Sequence, residues 1–204
     1  ATRLDLSISV VAVAFSFVVG ATAGTISGYL GGWIDAAIGR VTDTIMAFPL
    51  FVLAMGIVAA AGNTVANIIY ATAVINIPTY VRVARAEVLV RREAPFVQAA
   101  RLAGNGPARV LAFHLFPNVA APLIVQASLN MGYAILNAAG LSFIGLGVRP
   151  PAPEWGIMVA DGAAYIISGE WCWLFPGLAL TGAVLAFNVA GDGLRDFFDP
   201  QRRS

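Results

Sequence analysis

The sequence has few charged residues and no lysine at all. Of its 204 residues, 11% are charged and 59% are hydrophobic, and the mean hydropathy is +0.80. Because a soluble domain carries about 25% charged residues, we expect an integral membrane protein rather than a soluble enzyme or a disordered scaffold. All 12 basic residues are arginine. Without lysine the chain cannot build the phosphate-binding P-loop of an ATPase.

Cysteine and histidine occur once each, and the charges nearly balance. Cys172 alone excludes an internal disulfide. His114 alone excludes the HExxH zinc motif and any histidine cluster. The net charge of +1 gives no reason to expect nucleic acid or another polyanion as a partner. We therefore expect neither a metal site nor a nucleic-acid interface.

Long uncharged runs predict the helices that cross the membrane. One crossing needs about 20 residues, so the run 44–81 must fold back, and Gly62-Asn63 is its strongest turn signal. The run 110–148 holds either two spans or one span followed by the Gly-rich segment 140–147. A single span leaves only Arg3 and Arg149 outside, which agrees with the rule that cytoplasmic loops are rich in arginine.

These runs predict an all-α, polytopic membrane helical bundle that forms one domain over residues 1–204. The five spans are expected at about 7–30, 44–61, 64–85, 118–139 and 172–191. A long cytoplasmic loop covers 86–114, an outer loop covers 140–171, and the C-terminus is cytoplasmic. Five spans place Ala1 outside, although it follows neither an initiator Met nor a signal peptide. We therefore expect at least one further helix upstream in the full-length protein.

The cytoplasmic loop 86–114 carries the most informative pattern. Pro95 suits the first turn of a helix, and Gly104-Asn105-Gly106-Pro107 is typical of a helix end. A second short helix is expected to begin near Pro107. Ala99 and Ala100 give the first helix a small, smooth face, which another protein's backbone can approach closely. The loop thus predicts a helix–turn–helix docking surface at the membrane face.

The spacing in this loop resembles a known family. Gln98-Ala99-Ala100-x3-Gly104-x9-His114-x-Phe116-Pro117 is similar to the EAA loop of bacterial ABC-importer permeases, in the dipeptide, oligopeptide and nickel branch. Stretches that fit the branch follow in order along nearly the whole chain: 28–35, 47–49, 115–118, 122–125, 141–147, 154–156, 187–188, 191–196 and 199–200. The chain departs from the family where Gln98 replaces the usual Glu, and where His114 and Phe116 replace Ile and Leu.

The resemblance implies a non-catalytic transport subunit in the bacterial inner membrane. It implies half of a heterodimeric pore, completed by a second permease similar to the B-type subunit of dipeptide importers. Two ABC ATPase subunits would bind ATP and Mg, so this chain would hold no cofactor, and an extracytoplasmic solute-binding protein would deliver the solute. Members have six spans, one more than predicted here. The residues that the resemblance assigns to ATPase coupling are Glu93, Gln98, Ala99, Ala100, Arg101, Gly104, Asn105 and Pro117.

Three asparagines, Asn76, Asn130 and Asn137, lie at predicted membrane depth. Hydrogen bonds between helices are their favoured role, and a place on the translocation pathway is the alternative. Gly20, Gly24 and Gly28 form a small-residue ridge for close helix packing. The Gly-rich segment 140–147 is either a re-entrant outer gate or a cap on the bundle.

Other classes of membrane protein fit the sequence less well. No acidic or basic residue lies well inside a predicted span, which argues against an ion-coupled secondary transporter. An intramembrane aspartyl protease would need a second carboxylate to pair with Asp192. A purely structural membrane subunit would not need the Gln-Ala-Ala-x3-Gly loop. Dipeptides, oligopeptides, D-amino-acid dipeptides, glutathione, opines and nickel complexes all remain open as solutes.

Overall fold

A computed structural model describes residues 1–148, 150–168 and 171–198. Its regular elements are helices, and no strand occurs in these ranges. The helices are α1 (Thr2–Leu30), α2 (Gly32–Ala47), α3 (Leu50–Ala61), α4 (Val65–Arg91), α5 (Pro95–Leu102), α6 (Pro107–Arg109), a π-helical segment (Val110–Leu115), α7 (Phe116–Phe143), α8 (Trp155–Ala163) and α9 (Leu174–Phe198).

The central contact of the bundle is between α1 and α4, and it runs along the predicted glycine ridge. A Cβ atom added at Gly20 would lie 2.6 Å from the Cβ of Tyr80, and one at Gly24 would lie 2.8 Å from the Cβ of Ala84. At Gly28 it would lie 2.8 Å from the Arg85 carbonyl oxygen. The packing role predicted for these glycines is confirmed, because no larger side chain fits between the two helices.

The predicted turn at Gly62-Asn63 separates α3 from α4. Gly62 has φ 96°, a conformation that glycine adopts without steric cost. Thr64 then caps α4, since its side chain accepts a hydrogen bond from the Asn67 backbone N–H at 3.2 Å. The chain therefore reverses direction over three residues, and α4 continues beyond the predicted end at 85 to Arg91.

The structure differs from the prediction over residues 44–61, which are not one straight helix. Helix α2 ends at Ala47, α3 begins at Leu50, and the two are bent by 90°. Phe48 is extended, and Pro49 has no N–H to continue the ladder of α2. Because of this break at Phe48-Pro49, the stretch is a pair of bent helices and not one straight membrane span.

The second helix of the predicted loop is not short. From Pro107 onward α6, the π-helical segment and α7 form one continuous helix that ends at Phe143. Phe116 donates its N–H to the Leu111 carbonyl five residues earlier, and Pro117, next in sequence, has no N–H to donate. The wider π turn accommodates this loss. The helix–turn–helix of the prediction is therefore α5, a turn, and the start of this long helix.

The segment after α7, predicted as the outer loop, closes one end of the bundle. After α7 the N–H groups of Gly145 and Leu146 donate back to Ser142 and Leu141 at 3.0 and 2.9 Å, the pattern of a Schellman cap. Leu146 packs on the apolar cluster that contains buried Val148. These contacts favour the cap over the re-entrant gate for 140–147. Arg149, expected on the outer side, and Arg202 and Arg203, expected with the other arginines on the cytoplasmic side, are not among the described residues.

Among the residues that the structure describes, three helices are long and apolar enough to cross a membrane: α1, the continuous helix Pro107–Phe143, and α9. The bent pair α2–α3 brings the number to four if it forms one span. Helix α4 is long enough, yet polar residues such as Asn67, Thr72 and Asn76 keep it out of this set. The fold is thus an all-helical membrane bundle, and the predicted count of five spans is not confirmed.

Candidate docking site on α5

Helix α5 is a short helix with a firm boundary at each end. Pro95 occupies its first turn after extended Ala94. At the other end Gly104 has φ 82° and donates to the Arg101 carbonyl at 2.9 Å, while Asn105 donates to the Ala100 carbonyl at 3.2 Å. Both bonds belong to a Schellman cap. The Asn105 side chain also donates to the Ala100 carbonyl, at 2.9 Å. The helix end predicted from Gly104-Asn105 is confirmed.

One side of α5 is buried in the protein. Val97 is fully buried and Ala100 is 6% exposed, and both belong to the apolar cluster that contains Val88 of α4 and Val110 and Leu115 of the π-helical segment. The smooth face expected from Ala99 and Ala100 together is therefore divided. Ala100 packs inward, and only Ala99 faces outward.

The opposite side of α5 presents large apolar side chains that the sequence interpretation overlooked. Leu102 is 89% exposed and Phe96 is 41% exposed. With Ala99 they follow an i, i+3, i+6 spacing, which places them on one face of the helix. Val90 and Phe113, on the elements that flank α5, are also exposed. We call Phe96, Ala99 and Leu102 the outer face of α5.

The polar residues expected to contact an ATPase have partners within the chain. Gln98 is exposed, and its Nε2 donates to the Glu93 carbonyl at 2.9 Å. The Glu93 carboxylate lies 3.5 Å from Nε of Arg92. The Arg101 guanidinium lies over the Tyr29 ring, 5.0 Å from its centroid, and donates to the Tyr29 hydroxyl at 3.2 Å. Arg101 is thus engaged with α1.

Pro117 lies apart from the other predicted coupling residues. It is exposed at the start of α7, beyond the π-helical segment. Gly104 is exposed beside the outer face of α5, whereas Asn105 is half-buried by its bonds to Ala100. The structure therefore brings together the predicted residues from Glu93 to Asn105 and leaves Pro117 on a separate helix.

A group of ion pairs lies between α1, α2 and α4. Arg85 binds Asp35 through two bonds, Nε–Oδ1 at 2.6 Å and Nη2–Oδ2 at 2.7 Å. The Ser27 hydroxyl also donates to Asp35. Asp35 thus accepts hydrogen bonds from residues of two other helices. The group borders a cavity of about 440 Å³ that Arg82 and Asp43, a more exposed pair at 2.9 Å, also line.

The three predicted pathway asparagines are distributed over two helices. Asn76 is buried and donates to the Thr72 carbonyl of its own helix at 2.6 Å. Asn130 is buried and accepts from Gln126, one turn earlier, at 3.0 Å. Asn137 is half-buried. Two serines make hydrogen bonds between helices: Ser16 donates to the Ala73 carbonyl at 3.0 Å, and Ser128 donates to the Phe187 carbonyl at 3.1 Å.

The sequence interpretation also missed two buried carboxyl groups where α1 meets the start of α8. Asp5 is 1% exposed and Glu154 is 0% exposed, and the two side chains are neighbours. Asp5 accepts from the Trp155 N–H at 3.3 Å, and Glu154 caps α8 by accepting from the Ile157 N–H at 2.9 Å. The two residues are about 150 positions apart in the chain, and sequence patterns relate only residues that are close in the chain. Within the described ranges no three His, Cys, Asp or Glu side chains gather as metal ligands.

Known proteins are similar to this chain in sequence and in fold. Residues 20–204 match the family model described as binding-protein-dependent transport system inner membrane component. The dipeptide transport system permease protein DppC of Alkalihalophilus pseudofirmus is 45% identical over 99% of this chain and 66% of its own length. The probable D,D-dipeptide transport system permease protein DdpC of Escherichia coli is 44% identical over 94% of this chain and 64% of its own.

The chain thus spans about two thirds of the length of these relatives. The inward-facing MetNI methionine ABC transporter contains a chain with the same fold, at a TM-score of 0.79, with 17% identity and coverage of 96% of this chain and 93% of that one. The apolar helices and the family model agree on a multi-pass protein of the inner membrane. This chain belongs to the family of binding-protein-dependent transport system inner membrane components.

Proposed function

We propose that the chain is the permease part of an ATP-driven ABC importer for peptides or related small solutes. It forms one half of a pore, a second permease forms the other half, and two ABC ATPase subunits bind and hydrolyse ATP with Mg. The chain itself catalyses no reaction and binds no cofactor. A solute-binding protein delivers the solute at the outer face. The family membership and the relatives named as peptide permeases support this proposal.

We propose that the ATPase docks on the outer face of α5. Leu102 exposes 89% of its surface on a helix whose back is held by Val97 and Ala100 in the apolar core. An exposed apolar side chain on a rigid support is typical of protein–protein contact sites. Because the helix is fixed from behind, a push on its outer face moves the supporting helices with it.

The residues proposed to contact the ATPase therefore differ from those that the resemblance implies. Phe96, Ala99 and Leu102 supply the apolar contact, and the exposed residues Gln98 and Gly104 flank it. Ala100 and Asn105 hold the shape of α5 through packing and capping. Glu93 is exposed beside the helix, so its carboxylate supplies the charge that Gln98 lacks, whereas Arg101 serves as an internal anchor.

We propose five spans, with α4 as the fifth and the bent pair α2–α3 as one of the other four. Helix α4 packs against α1, α3 and α7, so its polar side chains, including buried Thr72 and Asn76, need not face lipid. In this topology α5 and the C-terminus are cytoplasmic and α8 is on the outer side. Half-buried Asn137 is the asparagine best able to reach a solute.

The test is a detergent pull-down of the full-length protein, co-expressed with its ATPases and second permease. The variants are Ala99→Arg and Leu102→Asp, which place a charge on the outer face. We expect the ATPases to co-purify with the wild type and to be retained at least about tenfold less by either variant, since a buried contact residue contributes about 1–2 kcal/mol or more to binding.

Two control variants make the outcome specific. Ala164→Arg places the same charge on an exposed alanine after α8, and Leu102→Met keeps an apolar side chain. Both should retain the ATPases. If Ala99→Arg and Leu102→Asp retain them as well, α5 is not the docking element, and if the wild type retains none, the proposed transport role is wrong.

A further inference from the structure

The corner between α1 and α2 is joined to α4 by contacts that docking does not require. We call residues 27–35 the α1–α2 corner. Gly31 and Gly32 have φ of 65° and 56°, so the two helices meet with almost no loop between them. Asp35 of the corner holds Arg85 of α4 in the two-bond arrangement and accepts from Ser27 of α1. One carboxylate thus joins three helices.

A second set of contacts joins the same corner to α5. The Arg101 side chain reaches from α5 to Tyr29, with a cation–π distance of 5.0 Å and a hydrogen bond of 3.2 Å. Arg92, just after α4, donates to the Gly28 carbonyl at 3.2 Å, and its own carbonyl accepts from Arg101 at 3.3 Å. A planar guanidinium in several directed contacts fixes orientation as well as distance. The corner is therefore held by both α4 and α5.

Both α2 and α3 pack on α4, and they differ in their second neighbour: α2 lies beside α1, whereas α3 makes a smaller contact with α7. Between α2 and α3 the break at Phe48-Pro49 bends the chain by 90°. Such a break, where a proline interrupts the backbone ladder, is a position that can absorb a change in dihedral angles.

We infer that α5, the end of α4 and the α1–α2 corner move as one rigid unit, and that the chain flexes at Phe48-Pro49 when the ATPases push on α5. Asp35, Arg85, Tyr29 and Arg101 are then positioning residues for transport. This inference rests on the proposed docking of α5. Movement of α5 reaches α2 through Asp35 and Tyr29, and α2 delivers it to the bend at the start of α3.

The experiment measures distances between spin labels in the full-length complex with the second permease and the ATPases. Cys172 is first replaced by serine, which leaves this chain without its one cysteine. Labels on Ala37 of α2 and on Ala108, after the turn that ends α5, report on the rigid unit. Labels on Ala37 and on Ala59 of α3 report across the bend. All three positions are exposed. Each pair is measured without nucleotide and after trapping with ADP and vanadate.

In the wild type the distance from Ala37 to Ala108 should stay the same on trapping, while the distance from Ala37 to Ala59 changes. In Asp35→Asn the loss of the charged pair should broaden the first distribution and make it shift on trapping. The double exchange of Asp35→Arg with Arg85→Asp should narrow it again. Asp43→Asn removes only the exposed pair with Arg82 and should behave as the wild type.

The same samples show whether a failure concerns the rigid unit or the docking of the ATPases. If the ATPases co-purify and the wild-type distance from Ala37 to Ala108 changes on trapping, the rigid unit is refuted and docking stands. An unchanged distribution in Asp35→Asn also refutes it. If the wild type retains no ATPase, both proposals are overturned.

Discussion

Arg101 and Leu102 are neighbours in α5, and their side chains lie on different faces of the helix. Arg101 extends toward Tyr29 of α1, and Leu102 points away from the protein with 89% of its surface exposed. In a helix, adjacent residues are separated by about 100°, so a docking motif read as a string mixes contact residues with supporting ones. Ala99 and Ala100 divide in the same way, one exposed and one buried.

Gly104 gives a prediction for a single residue. Its φ of 82° is costly for any residue with a Cβ atom, by about 1 kcal/mol. Gly104→Ala should therefore weaken the cap of α5 and lower the melting temperature in detergent by about 2–4 °C, with faster trypsin cleavage after Arg101. Gly106, with φ −68°, supplies the control: Gly106→Ala should leave both measurements near the wild type. Equal effects of the two substitutions would contradict this account.

At the scale of elements, the contact between α1 and α4 depends on the absence of side chains. The three ridge glycines let the backbones approach until Ser16 of α1 bonds to the Ala73 carbonyl of α4 at 3.0 Å. In a membrane, where apolar burial drives helices together only weakly, such close van der Waals contact is the main attraction. The ridge glycines, rather than large apolar residues, thus hold the central pair.

Adding a methyl group to α1 or to α3 should have opposite effects. In Gly24→Ala the new Cβ meets Ala84 at 2.8 Å, so the helices must separate, and we expect a loss of stability of about 1–3 kcal/mol. Gly56 of α3 has no atom within 4 Å of such a Cβ, and Gly56→Ala should gain about 0.5–1 kcal/mol from helix propensity. The measurement is thermal unfolding of the wild type and the two purified variants in the same detergent. A more stable Gly24→Ala would refute the packing argument.

At the scale of the whole molecule, one contact joins the first turn of α1 to the start of α8. Asp5 lies in the first turn of α1, and Glu154 caps α8. One oxygen of each carboxyl group, Asp5 Oδ1 and Glu154 Oε1, has no hydrogen-bond partner. Two adjacent buried carboxyl groups cannot both carry a charge at low cost. These two unbonded oxygens are therefore placed where a hydrogen-bond donor would stabilise the contact.

This contact predicts that removing a charge stabilises the protein. Asp5→Asn keeps the size of the side chain and supplies an N–H donor to Glu154, so the melting temperature at pH 8 should rise by at least about 2 °C. Asp43→Asn, at an exposed carboxylate, is the matched control and should change it little. The comparison is made by thermal unfolding in detergent. A lower melting temperature for Asp5→Asn would show that the ionised pair contributes stability.

The sequence by itself determined the class of protein, the positions of most helices and the turns that contain glycine. These features depend on local properties: hydrophobic runs set α1, α7 and α9, Gly62 set the turn before α4, and Gly104 set the end of α5. The family motif pointed to α5, the docking element we propose, for the same reason, because its residues are adjacent in the chain.

Only the tertiary structure decided which side of α5 is free, what Arg101 binds, and how Asp35 and Asp5 are paired. Each of these depends on residues far apart in the sequence, such as Arg85 with Asp35 and Glu154 with Asp5. The bend at Phe48-Pro49 and the continuous helix from Pro107 to Phe143 are of this kind too. A proline can kink, break or be absorbed into a helix, and the packing around it determines which of these occurs.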